Sequence, residues 1–334
     1  MTLSVAMCTY NGAKYIEEQL QSILDQELPV GEIVVCDDGS KDDTINIVKG
    51  IASKHAEIVW NIQENIPNLG VTKNFEKAIS LCTGDYIFLS DQDDVWYTNK
   101  TKVIVDFFYN HPNVNIVFSD ADIIDEKGKL LTSHSLLEAW NLLPDDFFWE
   151  SYSLESMMFC NRATGATMAF RHFCSEDFLP FDDDTGCLHD YQIAMYACVN
   201  DSLGLIKVPL IQYRQHDKNV MGVSQDNWIY SKKGYKMPLI LEAIEPVPIR
   251  PFCKKYKSPR LEFYHKRVEN YHSIRGKIIL VGLLSQYIRF YKAYWRLFFF
   301  SDFLYGFNNR LRKVYIKHYI NHENSICNSC YPQL

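Results

Sequence analysis

The segment Ile33-Val34-Val35-Cys36-Asp37-Asp38-Gly39-Ser40 is a short apolar run that ends at two carboxylates. The segment Tyr86-Ile87-Phe88-Leu89-Ser90-Asp91-Gln92-Asp93-Asp94 follows the same pattern. Short apolar runs of this kind are typical of buried parallel strands. Because open α/β sheets bind ligands at the carboxyl ends of their strands, both groups of carboxylates are predicted to lie on a ligand-binding edge.

A third acidic position, Asp190, follows in Leu188-His189-Asp190-Tyr191. Clustered carboxylates repel one another and require a cation or hydrogen-bond donors. Since oxygen ligands suit Mg²⁺ and Mn²⁺, a divalent cation that also holds a diphosphate is the simplest explanation of the acidic pattern.

Strands and helices alternate up to about residue 110, which predicts a doubly wound, three-layer α/β/α fold with a mostly parallel sheet. After residue 120 the pattern is mixed, and it predicts a strand over Thr164–Phe170, a helix over Asp190–Val199 and a strand over Leu205–Tyr213. The change of pattern predicts one domain at 1–240 that is built of two halves, 1–110 and 111–240. A cluster of prolines marks the change to a separate region at 250–334.

The region 250–334 differs from the rest of the chain in charge. It holds 16 Lys and Arg against 4 Asp and Glu, whereas the whole chain has a formal net charge of −7. Its basic residues alternate with Tyr, Trp and Phe, and no apolar run reaches the ~18–20 residues of a spanning helix. This pattern favours helices that lie on a membrane surface over a nucleic-acid partner, although helices packed on the domain at 1–240 remain an alternative.

The ten cysteines are scattered, and several fall inside apolar runs, where free cysteine behaves as a small hydrophobe. We interpret them as reduced, and we interpret Cys327 and Cys330 as a fortuitous pair near the end of the chain. The first residues lack the features of a signal peptide. We therefore expect a cytoplasmic protein, peripheral on the inner face of the cell membrane.

Several motifs in order resemble the family 2 inverting glycosyltransferases, which have a GT-A-type nucleotide-sugar-binding fold. The early motifs are Ser4-Val5-Ala6-Met7-Cys8-Thr9-Tyr10-Asn11-Gly12, Asp37-Asp38-Gly39-Ser40 and Asp91-Gln92-Asp93-Asp94. The later motifs resemble a bacterial rhamnosyltransferase branch of the family, and they are Thr164-Gly165-Ala166-Thr167-Met168-Ala169-Phe170, Leu188-His189-Asp190 and Tyr213-Arg214-Gln215-His216. The resemblance covers roughly residues 1–225, and the order and spacing make it specific. It implies that 1–240 is the catalytic domain, with a nucleotide-sugar half at 1–110 and an acceptor half at 111–240.

The resemblance implies roles for the residues that bind the nucleotide sugar. Asp38 would accept a hydrogen bond from the N3–H of a pyrimidine, since a carboxylate is only an acceptor. The alternative is that Asp38 only shapes a turn and caps a helix. The remaining residues implied at the nucleotide sugar are Thr9, Tyr10, Asn11, Asp91, Gln92 and Arg214.

The resemblance also implies a metal site and a catalytic base. Asp93 would bind Mg²⁺ or Mn²⁺, with Asp91 near the metal or the ribose, and His216 would complete the metal shell unless it is simply solvated. Asp190 would be the general base that deprotonates the acceptor hydroxyl, with a helix N-cap as the alternative and Asp183 or Asp184 as substitutes. On the acceptor side lie Thr164, Gly165 and His189, where most relatives carry an acidic residue instead of His189.

These expectations combine into a metal-dependent inverting glycosyltransferase. It would move a sugar from a nucleoside diphosphate sugar, with dTDP-rhamnose as a candidate donor, to a hydroxyl of a lipid-linked or polysaccharide acceptor in bacterial cell-surface glycan synthesis. One alternative is a UDP-hexose or UDP-N-acetylhexosamine donor. Two others are a sugar nucleotidyltransferase, whose Gly-rich phosphate loop is not evident after the first strand, and an inactive nucleotide-binding subunit. Trp96 could stack on a sugar or pack in the core.

Overall fold

The computed structural model describes residues 1–131, 135–137, 157, 161, 163–217, 219, 249–259, 261–262 and 265. Most of the predicted basic region at 250–334, including Cys327 and Cys330, lies outside these residues. The strands are β1 (Leu3–Thr9), β2 (Glu32–Asp37), β3 (Val59–Glu64), β4 (Tyr86–Ser90), β5 (Val95–Trp96), β6 (Ile116–Ile124), β7 (Met168–Arg171) and β8 (Leu203–Arg214). The helices are α1 (Ile16–Leu24), α2 (Thr44–Ala52), α3 (Val71–Leu81), α4 (Lys100–Asn110), α5 (Ser175–Phe178), α6 (His189–Val199) and α7 (Ile249–Tyr256).

The strands form one eight-stranded sheet in the order β3-β2-β1-β4-β7-β6-β8-β5. Strand β1 pairs in parallel with β2 and β4, and β2 pairs in parallel with β3. Strands β1, β2 and β3 are each followed by a helix that crosses back over the sheet, as parallel connections require. The predicted α/β fold with its parallel nucleotide-side half is therefore confirmed.

The second half of the sheet is mixed. Strand β7 lies antiparallel between β4 and β6, and β8 is parallel to β6. The predicted strand over Thr164–Phe170 begins only at Met168, because Gly165–Thr167 form a 3₁₀ turn closed by the Thr167 N–H and hydroxyl on the Thr164 carbonyl. The two-residue strand β5 pairs antiparallel with β8 and was not predicted, since two residues are too few to show a period.

The apolar core has two layers, one on each face of the sheet. On one face, α3 and α6 cover the sheet with fully buried side chains such as Phe75 and Ile193. On the other face, α1, α2 and α4 do the same, for example with Leu20, Val48 and Phe108. This is the predicted three-layer arrangement. The cysteines in the described part of the chain are free thiols, and most of them are buried in these layers.

Helix α7 opens the predicted basic region and packs on the catalytic domain. Phe252 is fully buried in the core beside Tyr191, with ring centroids 6.2 Å apart. The Lys255 ammonium donates to the carbonyl oxygens of Phe178 and Pro180, both at 2.6 Å. No helix of the described chain is long and apolar enough to cross a membrane.

Candidate active site

Asp37, the first residue of the pair Asp37-Asp38, joins the carboxyl ends of β1 and β2. Asp37 lies opposite Thr9, and its carboxylate accepts the Thr9 hydroxyl at 2.7 Å. The same carboxylate accepts the backbone N–H groups of Gly39 and Ser40, at 3.1 and 2.8 Å. Gly39 has a φ of +85°, which favours glycine. Asp37 therefore stabilises the turn, and Asp38 takes no part in these hydrogen bonds.

Asp38 is buried behind a second loop. Its carboxylate accepts Asn65 Nδ2 at 3.0 Å, the Leu69 N–H at 2.7 Å and the Gly70 N–H at 2.9 Å. The N-cap of the following helix α2 is Asp43, so Asp38 does not cap it. A carboxylate offers about four acceptor sites, and three donors leave about one of them for a further donor.

The loop after β1 is hydrogen-bonded to the acidic loop, residues 91–94, which follows β4. The Gln92 amide accepts the Tyr10 N–H at 2.8 Å and donates to the Tyr10 carbonyl at 3.1 Å, while the Tyr10 side chain is half exposed. A Cβ at Gly12 would lie 2.1 Å from Gln92 Oε1, so only glycine allows this approach. Asn11 donates its N–H to the Ser40 hydroxyl and accepts the Lys41 N–H, both at 2.8 Å. Gln92 and Asn11 thus hold the loops around an exposed aromatic ring.

The acidic loop brings Asp93 to His216. Asp93 Oδ2 lies 2.8 Å from His216 Nε2, and the two side chains are only 13% and 10% exposed. Burial raises the pKa of Asp91, and the neighbouring charges of Asp93 and Asp190 raise it further. The structure therefore brings together three of the predicted metal and catalytic carboxylates, and a cation would relieve their repulsion.

The donor set fits a divalent cation that also binds substrate. Among the described residues, no three His, Cys, Asp or Glu side chains form a ligand cluster. Mg²⁺ usually takes one or two carboxylates and completes its shell with water and substrate phosphates. The paired oxygen and imidazole of Asp93 and His216 meet that requirement, and imidazole is a common ligand of transition metals.

The Arg214 guanidinium is fully buried beneath the acidic loop. It donates to the Asp93 carbonyl at 2.7 Å and to Glu18 Oε2 at 2.6 Å, and it lies 4.8 Å from the Tyr15 ring centroid. Its backbone N–H donates to Asp94 Oδ1 at 3.0 Å. These contacts hold the loop that carries Asp93 in place, and they account for the burial of a residue that the resemblance implied at the nucleotide sugar.

Asp190 lies in the first turn of α6, whose N-cap is Leu188, so Asp190 does not cap the helix. The carboxylate accepts the Tyr191 N–H at 2.6 Å and the Gly165 N–H at 3.3 Å. Burial raises its pKa to about 6, and the hydrogen bonds partly oppose that effect. A pKa just below neutral suits a general base.

His189 and Gly165, which the resemblance implied on the acceptor side, lie next to Asp190. The His189 ring stacks on Phe75 at a centroid distance of 3.9 Å, and burial lowers the pKa of the imidazole to about 3. Neither ring nitrogen has a hydrogen-bond partner among the described residues. A Cβ on Gly165 would lie 2.8 Å from His189 Nε2 and 3.3 Å from the Asp190 Cβ, so glycine is required there. Thr164 closes the turn through its carbonyl.

Two buried side chains near the acidic loop, Lys100 and Tyr15, were not predicted from the sequence. Lys100 at the start of α4 is fully buried over the Trp96 ring, and Tyr15 stacks on His216 with centroids 5.1 Å apart. Trp96 therefore packs in the core and does not offer its ring to a sugar, which was the other interpretation of this residue. A lysine six residues after Asp94 looks solvent-exposed in sequence, so no signal marked its burial.

The comparisons with known proteins identify the family and the fold of the chain. The family model for glycosyl transferase family 2 matches residues 4–175. The dTDP-rhamnosyl transferase RfbG of Shigella flexneri is 31% identical over 223 residues, which cover 65% of this chain and 74% of the relative. The chondroitin synthase of Escherichia coli is 28% identical over 183 residues, which cover 52% of this chain and 24% of that larger protein.

Two solved structures share the fold. The mannosyltransferase PcManGT of Pyrobaculum calidifontis, in complex with GDP-Man and Mn²⁺, has a TM-score of 0.51 at 19% identity, over 85% of this chain and 73% of that one. S. aureus TarS 1–349 in complex with UDP has a TM-score of 0.50 at 20% identity, over 64% of this chain and 61% of that one. At these identities the likeness concerns the fold alone. With the family model matching just over half of its length, the chain belongs to glycosyl transferase family 2 and is a glycosyltransferase with a GT-A fold.

Proposed function

We propose that this protein is a metal-dependent inverting glycosyltransferase of bacterial cell-surface glycan synthesis. Its donor would be dTDP-rhamnose, and its acceptor a hydroxyl of a lipid-linked or polysaccharide glycan. Family membership establishes glycosyl transfer from a nucleotide sugar, and the proposal adds the metal, the donor sugar and the acceptor class. The observation that carries it is the meeting of Asp91, Asp93 and Asp190, with the charges of Asp93 and Asp190 both acting on Asp91.

Asp38 would recognise the nucleobase through its remaining acceptor site, and the half-exposed Tyr10 ring would pack on the base. Thr9 supports this pocket through its hydroxyl bond to Asp37. Gln92 and Asn11 would leave room for the base, because they hold the loops after β1, β2 and β4 in fixed positions around the pocket. Asp91 would face the ribose.

Asp190 would accept the proton of the acceptor hydroxyl as that oxygen attacks the anomeric carbon from the face opposite the leaving diphosphate. The Gly165 N–H fixes one carboxylate oxygen, and the Tyr191 N–H fixes the other. The pKa of about 6 leaves the group ionised at neutral pH while it remains basic enough to take a proton.

Asp93 and His216 would hold Mg²⁺ or Mn²⁺ with the diphosphate of the donor. When bound, the cation offsets the charge that develops on the departing nucleoside diphosphate. Arg214 supports this pair from below, since it binds the Asp93 carbonyl and contacts the Tyr15 ring that stacks on His216.

The similarity to the Shigella flexneri dTDP-rhamnosyl transferase supports dTDP-rhamnose as the donor. The test is a panel of nucleotide sugars with purified protein, with release of nucleoside diphosphate as the readout, in Mg²⁺, in Mn²⁺ and after chelation. The panel includes dTDP-rhamnose, UDP-glucose, UDP-N-acetylglucosamine and GDP-mannose. Turnover with dTDP-rhamnose supports the proposal, and turnover only with a UDP-hexose contradicts it. Equal rates after complete chelation contradict the role of the metal.

We further propose that the basic aromatic region brings the enzyme to an anionic membrane surface and to its lipid-linked acceptor. Near such a surface each Lys or Arg contributes about 1 kcal/mol. Because Phe252 and Leu261 are fully buried in the catalytic domain, a truncation should end after residue 265. Co-sedimentation with anionic vesicles should then be strong for the intact protein, weaker at high salt and lost in the truncated form. Equal sedimentation of both forms would contradict membrane binding by this region.

A further inference from the structure

Lys100 is a fully buried lysine at the first position of α4, and neither the motifs nor the proposed chemistry use it. Its ammonium donates to the Ala166 carbonyl at 2.9 Å and lies 3.7 Å from the Trp96 ring centroid. A buried ammonium is costly unless charge and hydrogen-bond partners surround it. The groups around Lys100 must therefore offset the cost of burying its charge.

The acidic loop supplies the charge partners of Lys100. Burial lowers the pKa of Lys100 to about 7, and the charges of Asp94 and Asp91 oppose that effect. The ammonium therefore lies near enough to the loop to offset part of its negative charge. On its other side it holds the Ala166 carbonyl, which belongs to the 3₁₀ turn Gly165–Thr167.

That turn also holds the proposed base. Its first residue, Gly165, donates its N–H to Asp190 Oδ2 at 3.3 Å. Thr167 closes the turn by donating its hydroxyl to the Thr164 carbonyl at 2.8 Å. One short turn therefore connects the buried ammonium of Lys100 to the carboxylate of Asp190.

We propose that Lys100 is a positioning residue for sugar transfer, which ties the acidic loop to the turn whose N–H orients Asp190. The inference rests on the proposed function, in which Asp190 is the general base. Without the ammonium, the Ala166 carbonyl loses its donor and the turn is free to shift. A displacement of about 1 Å at a reacting group costs about 10²-fold in rate.

The proposal also predicts a change in pH dependence. The Gly165 N–H lowers the pKa of Asp190, against the larger effect of burial. A loosened turn weakens that hydrogen bond, so the pKa of Asp190 should rise and the acidic limb of the rate profile should move to higher pH. The other groups that face Asp190 are Asp91, Asn161, Cys187 and Tyr213.

The test compares Lys100→Met with Lys102→Met on the same helix, where Lys102 is an exposed lysine paired with Glu27 at 3.4 Å. Methionine fills the space of the lysine and removes the cost of a buried charge, so the variant should fold. We expect Lys100→Met to lose about 10²-fold in kcat, with nucleoside diphosphate affinity by calorimetry within a few-fold of wild type. Its acidic limb should move up by about 0.5 pH unit, whereas Lys102→Met should match wild type in all three measurements.

A second variant loosens the same turn without touching the ammonium. Thr167→Val keeps the shape of a fully buried side chain and removes the hydroxyl, which is one of the two donors that close the turn on the Thr164 carbonyl. It should shift the acidic limb in the same direction, and it decides the question if Lys100→Met does not fold. An unchanged kcat and pH profile in whichever of these variants folds would overturn the proposal. The proposed function fails separately, if Asp190→Asn still transfers sugar at the wild-type rate.

Discussion

Replacement of Asp190 by Asn tests the proposed general base, because the amide keeps the shape of the side chain and removes its charge. A positioned base contributes about 10²–10⁴-fold to a reaction rate. The transfer rate should therefore fall by about 10²–10⁴-fold, which corresponds to about 2.7–5.5 kcal/mol of activation free energy. The affinity for the nucleoside diphosphate should stay within a few-fold, since the base acts on the acceptor.

The fold should tolerate this change, because two effects on stability oppose each other. The pKa of Asp190 is raised to about 6 in the folded protein, so the stability linked to its protonated form is present at acidic pH and is lost as the pH rises through ~6. Removing the charge at neutral pH therefore adds about 1–2 kcal/mol after allowance for partial solvent screening. The amide leaves the Gly165 or the Tyr191 N–H without an acceptor, which costs about 1–3 kcal/mol.

The wild-type pH profile tests the same assignment. A carboxyl group with a pKa of about 6 is about 97% ionised at pH ~7.5 and about 9% ionised at pH ~5. Since only the ionised form accepts a proton, kcat should fall about 10-fold between these values. Asp183→Asn is the matched control, because that carboxylate is 74% exposed in a neighbouring turn. Near wild-type transfer in Asp190→Asn, or an equal loss in Asp183→Asn, would refute the assignment.

Three further predictions concern the residues around the base and the acidic loop. Asp93→Asn and His216→Ala should each weaken the activation of the transfer rate by added Mn²⁺ at least 10-fold, while the circular dichroism spectrum remains unchanged. Equal activation of both variants and the wild type would show that this pair does not bind the metal. Arg214→Met should lower the free energy of unfolding by about 2–4 kcal/mol in urea titrations, since it leaves the Asp93 carbonyl and Glu18 without their donor. Gly165→Ala should cost about 1–3 kcal/mol of stability and reduce transfer, because the added methyl group would lie 2.8 Å from His189 Nε2; a fully active, equally stable variant would contradict the close packing.

The nucleotide-side half of the fold could be predicted because its signals are local. Each apolar run there ends at a motif, as Ile33–Cys36 ends at Asp37, and the parallel order follows from the helices between the strands. The acidic motifs also sit on the expected edge, since carboxyl ends of parallel strands meet there. Local pattern and global fold agree in this half of the chain.

The second half could not be predicted in the same way, because its features depend on distant contacts. The 3₁₀ turn at Gly165–Thr167 is held by Lys100 and Asp190, which lie 66 and 25 residues away from their partners in the turn. Arg214 belongs to a motif that the resemblance places at the nucleotide sugar, yet its guanidinium contacts Glu18, 196 residues earlier. Burial of long basic side chains is rare without such partners, and a single sequence does not show the partners.

Helix α7 lies between the proposed membrane region and the helix that carries the base. Helix α6 begins with His189 and Asp190, and α7 packs beside it, with the Tyr256 hydroxyl donating to the Gln192 carbonyl at 3.4 Å. Phe252 fills the space beside Tyr191, one residue after the proposed base. Phe252 of α7 is fully buried in the core, so the chain that follows α7 continues from a fixed point beside α6. A basic region that binds an anionic surface would in this way orient the acceptor side of the site toward that surface, whereas a freely linked anchor would only raise the local concentration of the enzyme.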